Sequence, residues 1–156
     1  SDGGSISIIS AGGTRDPRIK AIILLAAHVF VEDLGINSIK KAGIAFENAD
    51  LREKLTRYHF ENVDCAFRGW NDTWLSKEFR DWNIEKYLEY ITVPTLVIQG
   101  DNDEYGTKAQ VKAIKQGIGN NAQVVMMKDC GHSPHLDQKE KTLDILVSFI
   151  EKLRSR

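Results

Sequence analysis

The sequence has little of what would place it in a membrane, on a nucleic acid or in a disulfide framework. Its 156 residues include only two cysteines, Cys65 and Cys130. Two cysteines cannot make such a framework, and these lack the spacing of a zinc site, so a reducing compartment and a cytoplasmic location are expected. No run reaches the roughly 18 apolar residues of a transmembrane helix. Lys and Arg total 21 against 22 Asp and Glu, a net charge of −1. That balance provides neither a basic field for nucleic acid nor a polybasic anchor for anionic lipid. There is no internal repeat and no low-complexity segment. The opening residues, Ser1-Asp2-Gly3-Gly4-Ser5, hold no charged or apolar region of a signal peptide, and they read as the middle of a motif.

What is present is ordinary in amount and uneven in placement. Apolar residues make up 42% and charged residues 28%, as in a soluble globular protein with a real core. Nine of the thirteen aromatic residues fall between Tyr58 and Tyr90, including all three tryptophans. On either side, short apolar runs alternate with amphipathic stretches. Asp16-Pro17-Arg18 forms a turn. The run from Ile19 to Ala27, with Ile22, Ile23, Leu24 and Leu25 in succession, then Thr95-Leu96-Val97-Ile98-Gln99 and Gln123-Val124-Val125-Met126-Met127, have consecutive rather than alternating apolar residues, in the manner of parallel strands covered on both faces. Residues 107–116 and the repeat Leu143, Leu146, Val147, Ile150, Leu153 have helical spacing. Strand, helix, strand, helix is the pattern of an α/β parallel sheet. Between Glu32 and Glu89 no strand is evident. There Asp50-Leu51-Arg52-Glu53 resembles a capping box, and Val63, Phe67, Trp70 and Trp74 share one helical face. The expected organisation is therefore an α/β core from residues 1–31 and 93–156, interrupted by a helical insertion over 32–92.

Three local features carry chemistry. Ser1 precedes small residues and an apolar helical stretch, as a tight strand-to-helix nucleophile turn requires, with the helix N-terminus offering N–H groups to an oxyanion. Gly100-Asp101-Asn102-Asp103-Glu104 directly follows a strand, where functional carboxylates of parallel sheets gather; an acidic turn with side-chain hydrogen bonds is the plainer alternative. Asp129-Cys130-Gly131-His132-Ser133-Pro134-His135 follows the next strand, and a loop histidine without function is its plainer alternative. His132-x-x-His135 has no third ligand, so no metal is expected. Cys130 is a nucleophile only if its thiol is acidified.

Serine, acid and histidine stand in the order Ser, Asp, His, which belongs to the α/β-hydrolases. The chain resembles the C-terminal part of that fold over essentially its whole length. Pro94 to Asp103 resembles the acid strand and loop, Gly131 to Leu136 the histidine loop, and Ser1-Asp2-Gly3-Gly4 the end of the G-x-S-x-G elbow. The resemblance implies an α/β-hydrolase fold, C-terminal half only, with about three parallel strands and an inserted helical cap. It implies Ser1 as nucleophile, the Asp2 N–H as an oxyanion donor, His132 as base and Asp103 as its orienting acid, with Asp101 and Glu104 as fallbacks. His28 and Phe30, just past a strand end, are expected to line a substrate pocket, with Trp70 and Trp74 of the cap as further candidates.

The implied reaction acts on an ester or related acyl compound through an acyl-enzyme and needs no cofactor. The same triad also serves carbon–carbon bond hydrolysis and acyl transfer. A small, partly apolar molecule is the expected substrate. The elbow strand and the N-terminal strands of the fold have no counterpart here, so an incomplete chain is expected. Its partner would be the missing N-terminal half, or another copy pairing through the exposed sheet edge. An inactive fragment or association scaffold is the alternative function. An N-terminal-nucleophile hydrolase is a further one, although that class places strands where this chain is helical after Gly4.

Overall fold

The computed structural model describes residues 1–155. In chain order its main elements are α1 (Asp2–Thr14), β1 (Ile22–Leu25), α2 (Asp33–Asn48), α3 (Leu51–His59), α4 (Val63–Leu75), β2 (Thr95–Gly100), α5 (Lys108–Ile118), β3 (Ala122–Met127), the short α6 (Pro134–Asp137) and α7 (Lys139–Arg154). They fall into two compact units. One comprises Ser1–Phe30 and the chain from Asn83 onward; the other is Val31–Trp82.

In the first unit the three strands form a parallel sheet in the order β1-β2-β3. β2 is buried at every residue, as the consecutive apolar Leu96, Val97 and Ile98 lead one to expect. The two outer strands are not covered on both faces as expected: β1 alternates between buried and half-buried, and Gln123 and Met126 of β3 are exposed. Only β2 has a neighbour on each side. β1 is also shorter than the run from Ile19 to Ala27. Ile19 is drawn into the turn by its N–H bond to Asp16, and the ladder starts where Ile22 donates to the carbonyl of Pro94. Leu96, Ile98, Met127, Cys130 and Phe149 form a core cluster, with Ile145, Leu146 and Leu153 of α7 packed against it.

A 3-10 turn over Glu85–Tyr90 packs against α1 and α5. Leu88, 1% exposed, sits where a side chain on Gly117 would collide with it. Residues 83–92 therefore lie with the α/β unit, and the helical part is shorter than the 32–92 expected from sequence.

The second unit is helical. Phe46 of α2 and Phe67 of α4 stack with ring centroids 3.8 Å apart, joined by Val63. Asn71 is buried on the same helix as Phe67 and donates to the carbonyl of Ile39 at 2.9 Å. The capping box at Asp50 does not form. Asp50 precedes α3 but makes no side-chain cap bond; its carboxylate pairs instead with Lys54 one turn on, at 2.7 Å. Among the described residues no helix is long and apolar enough to cross a membrane.

Candidate active site

All three strands run the same way, so the segments leaving their C-terminal ends share one edge of the sheet. His28 leaves β1, Asp103 leaves β2 and His132 leaves β3. Ser1 reaches the same edge from the start of α1, its nitrogen donating to the carbonyl of Leu25, the last residue of β1, at 2.5 Å.

A hydrogen bond joins His132 Nδ1 to Asp103 Oδ1 at 2.8 Å. Three donors converge on that oxygen, because the N–H groups of Tyr105 and Gly106 also reach it, at 2.9 and 3.2 Å. An ionised carboxylate only accepts, so Nδ1 carries the proton and Nε2 is left as the basic nitrogen. Asp103 Oδ2 is buried and accepts no hydrogen bond. Burial alone would raise the Asp103 carboxyl. The bonds from His132, Tyr105 and Gly106, with the His132 charge, outweigh it and hold the group below the usual carboxylate range.

The acid loop grips the histidine twice. While Asp103 holds the ring, Glu104 Oε2 accepts from the His132 backbone N–H at 3.2 Å. On the other side of the glycine step, Asp137 Oδ2 accepts from the Gly131 N–H at 2.8 Å. The two loops are also sewn through backbone, with Asp101 N–H donating to Met127 and Asn102 N–H to Cys130. This approach needs a glycine at 100: a Cβ there would lie 2.1 Å from the Cys130 carbonyl oxygen and 2.3 Å from that of Gly131. Asp101, a fallback acid, is exposed and away from the imidazole contact, and Glu104 touches the backbone of His132.

Two buried amides brace the site, and sequence reading missed both. Gln99 Nε2 donates to the carbonyl of Gly106 at 2.6 Å, fixing the acid loop. Gln110, wholly buried on α5, accepts from Val29 N–H at 2.8 Å and donates to the Phe30 carbonyl at 3.0 Å. A signal existed, since Gln110 lies four residues before Ile114 on the buried face of its helix.

The remaining candidates fall as follows. His28 is 6% exposed, and its ring stacks on His132 with centroids 5.6 Å apart. Burial above all, then the charge of His132, hold the His28 imidazole down at about 4. Phe30 is half-buried and bridges to Asn83. Tyr105 brings its ring to 4.8 Å from His132, and burial with the Glu104 and Asp103 charges raises its phenol. Trp74 is buried against Phe79 and Trp82, and Trp70 packs edge-on to Phe67, all within the helical unit. Asp2 opens the first turn of α1. Burial pushes the Cys130 thiol up, the opposite of what a nucleophile needs. Among the described residues no three His, Cys, Asp or Glu side chains converge as metal ligands.

No family model matches the chain. It is 33% identical over 91 residues to a proline iminopeptidase of Thermoplasma volcanium, covering 58% of this chain and 30% of that protein. Lipase 1 of Psychrobacter immobilis is 37% identical over 70 residues, covering 43% of this chain and 22% of the lipase. The chain thus spans less than a third of these relatives' length. The crystal structure of a serine hydrolase involved in carbazole degradation matches 97% of this chain and 61% of its own, with a TM-score of 0.71 and 18% identity.

Proposed function

We propose, from the α/β-hydrolase fold that this chain carries, that Ser1, His132 and Asp103 act as nucleophile, general base and orienting acid in hydrolysis of an ester or related acyl compound. The observation that carries the proposal is the hydrogen bond between the buried Asp103 and the half-buried His132 on the sheet edge that Ser1 also occupies. That the matched relatives include a lipase and an iminopeptidase supports acyl chemistry.

In this reading His132 Nε2 takes the Ser1 hydroxyl proton as Oγ attacks the substrate carbonyl. Negative charge collects on the carbonyl oxygen beside the first turn of α1, where the Asp2 N–H is a donor and the helix dipole is positive. The imidazolium forms against the Asp103 carboxylate, then returns its proton to the leaving group as the carbon–oxygen bond breaks, which leaves the acyl group on Ser1. Water, deprotonated by the same imidazole, releases the acid and restores Ser1. An acceptor alcohol in place of water gives acyl transfer by identical steps. The substrate is a small molecule, with His28 and Phe30 among the residues at its edge of the sheet.

An acyl-enzyme has a kinetic signature independent of which step is slow. Two esters sharing an acyl group but differing in leaving group, given to the intact protein with hydroxylamine, are expected to partition between acid and hydroxamate in the same ratio. A ratio that changes with the leaving group, or no turnover of any activated ester, overturns the proposal.

A further inference from the structure

A hydrogen bond to one ring nitrogen leaves an imidazole free to tilt, because the torsion about its Cβ–Cγ bond is broad. In this site a second constraint is built in. The His28 ring lies 5.6 Å from that of His132 with only 21° between their planes. His28 is itself held from several sides. Its carbonyl accepts from Ser5 Oγ of α1 at 2.7 Å. The next two residues are clamped by Gln110, and Val29 also accepts from the N–H of Ile84 at 2.8 Å. At Gly106 of the acid loop, a Cβ would sit 3.3 Å from His28 Cε1. Two residues earlier Ala26 is held in the left-handed region at φ 48°, a strained conformation that directs the chain off the strand end.

We propose that His28 is a positioning residue for His132: Ser5 and Gln110 hold the backbone at residues 28–30, and from there the His28 ring stacks on the imidazole and limits its tilt about the bond to Asp103. This deepens the function proposed above and rests on it for its kinetic consequence. The role belongs to a flat ring. Anything small at position 28 leaves the imidazole tethered at Nδ1 alone, so that Nε2 spends less time aimed at the nucleophile. Gly106 completes the arrangement by leaving the His28 ring its space between the acid loop and the histidine.

The test compares His28→Ala, His28→Phe and His28→Asn in the intact protein, with two readouts. The low-field proton resonance of His132 Nδ1–H reports the bond to Asp103 whether or not any ester is turned over, so it separates failure of this inference from failure of the proposed function. Steady-state kinetics on an activated ester reports the consequence. His28→Ala is expected to broaden the resonance and to lower kcat roughly 10- to 100-fold with KM little changed. His28→Phe, which restores a ring without its nitrogens, is expected to recover both, and His28→Asn neither. If His28→Ala does not fold, Gly106→Ala crowds the His28 ring from the acid loop and is expected to broaden the same resonance. A resonance unchanged in the alanine variants, or rescue by asparagine and not by phenylalanine, overturns the stacking role.

Discussion

Asp103→Asn is expected to lower kcat/KM for an activated ester by about 10³- to 10⁴-fold while the protein stays folded. The geometry makes this a clean substitution. All three hydrogen bonds to the Asp103 side chain, from His132, Tyr105 and Gly106, end on Oδ1. Asparagine keeps an acceptor there, and its NH₂ group takes the buried place of Oδ2, where it finds no acceptor and costs about 1–3 kcal/mol of stability without breaking an existing bond. What disappears is the negative charge opposite the imidazolium, a charge needed only as the proton leaves Ser1. The loss should therefore fall on kcat rather than KM. Circular dichroism and a thermal melt check that the fold is retained. A variant that folds and keeps most of its activity removes Asp103 from the acid's role.

His28→Phe is expected to make the protein more resistant to acid. The folded-state imidazole titrates at about 4 against an ordinary 6.5. Above 6.5 neither state binds the proton, and the full stability is present. As pH falls from 6.5 toward 4, the unfolded chain takes up a proton that the folded one refuses, so stability drops by about 3 kcal/mol across the window. Burial dominates this shift; of the neighbouring groups, His132 opposes the charge on the imidazole and Asp103 favours it. The Asp103 carboxyl is depressed, so its own contribution is present above its ordinary 3.8 and is lost only as pH falls further. It therefore adds little inside the His28 window. Urea unfolding at about pH 7.5 and about pH 4 measures the effect. The parent should lose about 3 kcal/mol more than the phenylalanine variant. Equal losses would mean that the folded-state His28 imidazole titrates at its ordinary value and is not held down by burial.

How much of this was legible beforehand differs from residue to residue. The run Thr95 to Gln99 has three consecutive apolar residues, Leu96 to Ile98, because β2 is covered on all sides, and the strand formed there with one residue added. The histidine and acid loops could be located because each follows such a run. Periodicity carries no information about which of three nearby acids meets an imidazole. Asp101, Asp103 and Glu104 were separated only by the loop's path, which turns the Asp103 oxygen onto His132 and Glu104 onto its backbone. Gly100 read as the first residue of the loop after the strand, and its part in letting the histidine loop approach appears only when the loop's carbonyls are in place. The buried amides of Gln99 and Gln110 were hidden because a polar residue beside apolar ones reads as a surface position until its partners are known. Asp50 shows the converse: a motif complete in sequence yielded its side chain to an ion pair with Lys54.

The central claim is that Ser1 is the nucleophile of a site completed by His132 and Asp103. Its most direct test is to treat the intact protein with a fluorophosphonate, digest it and locate the adduct by peptide mass spectrometry. A single stoichiometric adduct on Ser1, lost in His132→Ala, is expected. An adduct on any other residue, an adduct on Ser1 that forms equally fast without His132, or none at all would contradict it.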